Sequence, residues 1–132
     1  MNLYIFNRLG KAAVYGVGAY IRELTAALKN SDIHVCVVNL MSNRPHIQIE
    51  EIAGIRYWYF PEPARAPLTI DDQKLRELYH RNVVCLLQLY IKDKKNLIFH
   101  LNYNESGIFP EELKKTFDCR IISTNVYTFQ DE

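Results

Sequence analysis

The sequence predicts an α/β domain: a mostly parallel sheet of about five strands with helices on both faces. Short, nearly continuous apolar runs recur at Leu3–Asn7, His34–Leu40, Ile55–Phe60, Leu97–Leu101 and Arg120–Thr124. Runs of that length and density suit strands buried on both faces. Segments with helical apolar spacing separate several of them, at about Gly16–Lys29 and about Thr69–Lys92. Strand and helix therefore alternate along the chain, the order that builds parallel sheets. A length of 132 residues fits one domain.

Leu3-Tyr4-Ile5-Phe6-Asn7 reads as a buried strand, followed by a loop from Arg8 to Tyr15. In the next helix Val17, Tyr20, Ile21, Leu24 and Leu28 share one face, and Arg22, Glu23 and Lys29 the other. Asn30-Ser31-Asp32 stops it. The β-branched run from His34 to Leu40 completes a strand–helix–strand unit, which predicts parallel strands and a right-handed crossover. Met41 to Pro45 is a loop. The alternating Ile47-Gln48-Ile49-Glu50 suits a short edge strand, and Ala53-Gly54 a turn.

Ile55 to Phe60 is an aromatic-rich strand that Pro61, Pro63 and Pro67 bring to an end. Thr69 caps a long helix with acids in its first turn, and Leu75, Leu78, Tyr79, Val83, Leu86, Leu87 and Tyr90 mark its buried face. Leu97 to Leu101 is a fourth main strand. Pro110 belongs in the first turn of a short helix reaching Phe117, and Arg120 to Thr124 closes the series.

Composition narrows the function classes. Hydrophobic residues make up 48% and charged residues 23%, a globular balance. The net charge of +1 gives no general pull toward nucleic acid. No apolar run approaches the roughly 18 residues of a membrane span, and the start has no signal-peptide pattern. Three scattered cysteines, Cys36, Cys85 and Cys119, suit buried thiols in a reducing, cytoplasmic setting. No CxxC or HxxxH spacing suggests a metal. His34, His46 and His80 show no pairing that suggests a site.

Parallel α/β sheets bind ligands at the carboxyl ends of their strands. The segments to inspect are therefore Asn7 to Gly18, Asn39 to Ser42, Phe60 to Pro63, Asn102 to Ser106 and Asn125 to Thr128. The first carries Gly10, Gly16 and Gly18 beside Arg8 and ends at a helix start, where backbone N–H groups suit a phosphate or another anion. The same glycines also suit close packing of helix on strand.

Known nucleotide signatures do not fit. The glycines come too late after the strand for a dinucleotide fingerprint, and Asn39 stands where a ribose-binding acid would. There is no GK[ST]. Asn102, Tyr103 and Asn104 form a polar cluster whose amides and hydroxyl suit sugar hydroxyls, or simply a turn. Tyr57, Trp58 and Tyr59 offer rings for stacking, although strand alternation sends at least one into the core. His100 reads as a core or sheet-end histidine before it reads as a base.

Asn7-Arg8-Leu9-Gly10, the stretch from Tyr15 to Leu28 and the strand His34-Val35-Cys36-Val37-Val38 resemble the opening of GT-B-type glycosyltransferases of family 4. Ile55 to Pro61, Leu97 to Asn102 and Ile121 to Asn125 are similar to later strands of that family. The resemblance implies a Rossmann-like N-terminal, acceptor-side domain over residues 1–132. It also implies a nucleotide-sugar donor held mainly by a second, C-terminal domain that lies outside this sequence, in cis or in trans. No other cofactor and no metal is implied. The reaction implied moves a sugar to a saccharide or lipid-linked acceptor, in the cytoplasm or peripheral to the inner face of the membrane.

Candidate binding residues are then Arg8, Gly10, Gly16, Gly18, Asn102, Tyr103, Asn104 and Asn125. Asn125 stands where the family often carries a functional histidine. The alternative is a non-catalytic Rossmann-like module that binds a small ligand or a partner protein. An unpaired strand edge would also favour self-association.

Overall fold

The computed structural model describes residues 1–8, 17–63, 72–102 and 107–124. Within them six strands form one sheet: β1 (Asn2–Arg8), β2 (His34–Ser42), β3 (Gln48–Ile52), β4 (Ile55–Pro61), β5 (Leu97–Asn102) and β6 (Cys119–Thr124). Their spatial order is β3-β4-β2-β1-β5-β6. β1 lies between β2 and β5, parallel to both, and the pairs β2–β4 and β5–β6 are also parallel. The sheet is thus the mostly parallel one expected. Its sixth strand is the short edge strand β3, antiparallel to β4. The β3–β4 connection is a tight hairpin in which Ala53 (φ 53°) and Gly54 (φ 83°) both take the left-handed conformation. Two such residues match the twist of a hairpin.

Among the described residues three helices flank the sheet: α1 (Val17–Leu28), α2 (Asp72–Tyr90) and α3 (Phe109–Thr116). Strand alternation divides the core in two. Leu3, Ile5, Val35, Val37 and Ile55 face α1 and meet Ile21. Tyr4, Phe6, Cys36, Val38, Trp58, Phe60, Phe99 and Leu101 face the other way, against Tyr79, Val83, Val84 and Leu87 of α2 and Phe109 and Leu113 of α3. This second face is largely aromatic. Phe99 lies 5.8 Å from Tyr4, 5.6 Å from Phe6 and 5.4 Å from Phe117, ring centre to ring centre. Trp58, 2% exposed, packs on Tyr4, Phe60 and Tyr90. It is a core residue and not a platform for sugar stacking.

Two boundaries differ from expectation. β2 continues through Ser42, where a loop from Met41 was expected, because a bulge absorbs an extra residue: the register with β4 shifts between Asn39 and Ser42, and Met41 sits at φ 57°. The Tyr79 hydroxyl fills the interrupted ladder, accepting from the Met41 N–H at 2.7 Å and donating to the Phe60 carbonyl at 3.3 Å. α2 stops at Tyr90, two residues before the expected end, and the Lys94 ammonium donates to the Ile91 carbonyl beyond it. A cation there suits the negative end of the helix. The expected Thr69 cap lies outside the described residues. α3 starts as expected, with Pro110 in its first turn, Glu111 and Glu112 beside it, and Lys114 and Lys115 in the last turn.

The three thiols are free and differ in access. Cys36 is fully buried, and loss of solvation pushes its thiol up to about 12. Cys119 is half-buried and also shifted up, by burial first. Cys85 is exposed on α2. In the folded protein a thiol-reactive disulfide reagent is expected to modify Cys85 first and Cys36 only after denaturant is added. Three equally fast thiols without denaturant would contradict the buried position of β2.

Candidate functional site

All five parallel strands end on one rim, at Arg8, Ser42, Pro61, Asn102 and Thr124. α1 opens on that rim. Its last residue, Leu28, leads through Ser31 to His34, which pairs with Asn2 at the opposite rim. The positive end of α1 therefore lies beside the strand carboxyl ends.

On the α1 face the sheet changes character at this rim. Leu3 pairs with Val35, and one row further along Ile5 aligns with Val37, Tyr57, His100 and Ile122. The last row holds Asn7, Asn39 and Tyr59 on adjacent strands. An apolar face thus finishes in carboxamides and a phenol, groups that exchange hydrogen bonds with hydroxyls. Asn7 Nδ2 donates to Asn39 Oδ1 at 3.0 Å, and both residues are buried, at 7% and 4% exposure. Asn7 Oδ1 is buried with no hydrogen-bond donor among the described residues. Tyr59 carries the Arg44 guanidinium 3.6 Å from its ring centre, and Arg44 is held by Gln48 at 2.6 Å and Glu50 at 2.8 Å.

His100 lies one row below the asparagines, buried at 6% exposure, with its ring edge-on to Tyr20 at 6.1 Å. Burial holds its pKa below the usual histidine value. The unfolded chain therefore binds a proton at higher pH than the native one does. Stability is expected to fall as pH drops from the ordinary histidine range toward the lowered native pKa. His100→Gln should flatten that slope in denaturant titrations between roughly pH 7 and pH 5. An unchanged slope would place the acid sensitivity elsewhere.

Of the residues singled out from sequence, Arg8, at the end of β1, Gly18, in the first turn of α1, and Asn102, at the end of β5, all lie at this rim. Arg8 is half-buried. Gly10, Gly16, Tyr103, Asn104 and Asn125 lie outside the described residues. The Asn7–Asn39 pair was not anticipated. Its sequence signal is that each asparagine follows an apolar run, and the register then makes the two opposite partners.

Two shallow depressions occupy the opposite rim, beside Met1, Asn96 and Asp118 and beside Lys29, His34 and Arg56. Both are open, and parallel sheets of this kind place ligands at the other rim. Among the described residues no group of three or more His, Cys, Asp or Glu comes together to hold a metal, and no helix is long and apolar enough to cross a membrane.

No family model and no curated protein matches the chain. Solved structures do. One is described as the OtsA apo structure, at 14% identity and a TM-score of 0.56 over 94% of this chain. Another is described as trehalose-6-phosphate from E. coli bound with UDP-2-fluoro glucose, at 12% identity and a TM-score of 0.56 over 93% of this chain. The chain spans about a third of the length of each, 33% and 32%. At these identities the likeness is one of fold: the chain has the Rossmann-like α/β architecture found in a third of those molecules.

Proposed function

We propose that this chain is the acceptor-side part of a GT-B-type glycosyltransferase, which moves a sugar from a nucleotide-sugar donor to a hydroxyl of a saccharide or lipid-linked acceptor. The observation that carries this reading is the polar row of Asn7, Asn39 and Tyr59 at the carboxyl rim, beside the opening of α1. The fold shared with a structure bound to UDP-2-fluoro glucose supports it. So does the resemblance of the first forty residues or so to family 4 enzymes. In this reading Arg8, Gly10, Gly16 and Gly18 border the cleft toward the donor phosphates, and Asn102, Tyr103, Asn104 and Asn125 border the acceptor. The donor itself is held mainly by a second domain, supplied in cis or in trans. The surroundings are the cytoplasm or the inner face of a membrane.

A non-catalytic binding module is the second reading, favoured by Asn125 at the position where family 4 enzymes often carry a histidine. Calorimetric titration of the chain with neutral saccharides, sugar phosphates and UDP-glucose separates the two. The transferase reading expects a saccharide of the panel to bind with a millimolar or tighter Kd, and UDP-glucose to bind the isolated chain more weakly. Absence of binding by every sugar would favour the module.

A further inference from the structure

The Asn7–Asn39 pair is built in a way that selects the chemistry of what it meets. Asn7 Nδ2 is committed to Asn39 Oδ1 at 3.0 Å. In this pairing Asn7 Nδ2 faces Asn39 and its Oδ1 faces away, since turning Asn7 alone would oppose two acceptor oxygens. The side left over is Oδ1, an acceptor, buried and without a donor among the described residues. Buried acceptors normally have partners, and an orphan calls for an explanation.

The position of this orphan is informative. It follows Leu3 and Ile5 on the α1 face, on the last row before the rim where α1 begins. The start of a helix offers donors, which suit an anion. Asn7 Oδ1 offers only lone pairs, which a carboxylate or a fully ionised phosphate ester cannot satisfy. The two features therefore ask for different parts of a ligand, and the carboxamide asks for a group that donates.

We propose that Asn7, oriented by Asn39, is a hydroxyl-recognition point at the carboxyl rim, where its Oδ1 accepts a hydrogen bond from a neutral sugar hydroxyl of the acceptor. This rests on the transferase reading and adds to it a residue and a polarity: the pair reads hydroxyls and rejects anionic groups. Asn39 is a positioning residue, because it acts through the orientation of Asn7.

The test uses the whole chain labelled with nitrogen-15, with the side-chain amide signals of Asn7 and Asn39 assigned, titrated at neutral pH with glucose as a neutral polyol and separately with acetate, an anion without a donor. Glucose is expected to shift both carboxamide signals, and acetate to leave that of Asn7 in place. Asn7→Leu, close in size and without the acceptor, is expected to bind glucose about tenfold more weakly, the worth of one net hydrogen bond. Movement of backbone amides at the rim with unmoved Asn7 and Asn39 carboxamides would overturn the inference and leave the transferase reading standing. So would Asn7→Leu binding glucose as tightly as the parent. A parent chain unaffected by glucose at any residue would overturn the inference and weaken the transferase reading with it. Should Asn7→Leu fail to fold, the carboxamide signals of the parent decide alone.

Discussion

Phe99→Ala is expected to destabilise the domain by about 3–5 kcal/mol, the range for removing a fully buried aromatic ring. Phe99 has no exposed surface and sits on β5 at the meeting point of Tyr4, Phe6 and Phe117. Tyr4 and Phe6 come from β1, and Phe117 follows α3. Removing the ring opens a cavity where one central strand, its neighbour and the chain after α3 all lose contacts. Parallel strands relax poorly around such a void because their ladders on both sides fix the backbone. Thermal melting should shift down by roughly 10–20 °C for a domain of this size. Leu89→Ala, at a side chain 72% exposed on α2, is the control and should stay within about 0.5 kcal/mol of the parent. Equal effects at the two positions would contradict the placement of the aromatic core.

Tyr79→Phe removes one oxygen and is expected to cost about 1–3 kcal/mol, since it strands a buried backbone donor. The hydroxyl accepts from Met41 N–H and donates to the Phe60 carbonyl, so it bridges β2 and β4 where their register slips. The ring stays packed in the variant, so hydrophobic loss contributes little and the change reports the bridge itself. Hydrogen exchange at the Met41 amide should accelerate more than exchange at Val37, in the regular part of the same pairing. Unchanged exchange at Met41 would mean that the hydroxyl does not hold the bulge.

The architecture was legible because its signals are local. Apolar runs such as Val35 to Val38, and the 3–4 spacing of Val17, Tyr20, Ile21, Leu24 and Leu28, depend only on neighbours in sequence. The edge strand was legible too, through the alternation at Ile47 to Glu50. The bulge at Met41 was not, since its stabilising group is a hydroxyl 38 positions away, as the span of the Met41–Tyr79 bond shows. Burial of Trp58 could be expected only as one of two choices, because alternation gives two phases and the sequence does not say which phase faces α2.

The position of the candidate site was half legible. Strand ends name the rim, and Arg8, Gly18 and Asn102 fall on it. The Asn7–Asn39 bond needed the register, since the two residues lie 32 positions apart and meet only when β1 and β2 pair in parallel.

Backbone amide mapping with the tightest-binding saccharide of the calorimetric panel tests most directly whether the carboxyl rim is the ligand side. The expected shifts concentrate at Asn7, Arg8, Gly18, Asn39, Asn102 and Thr124, while Asn2, His34, Asn96 and Cys119 on the opposite rim stay in place. Shifts centred on Asn2, His34, Asn96 and Cys119 would contradict it.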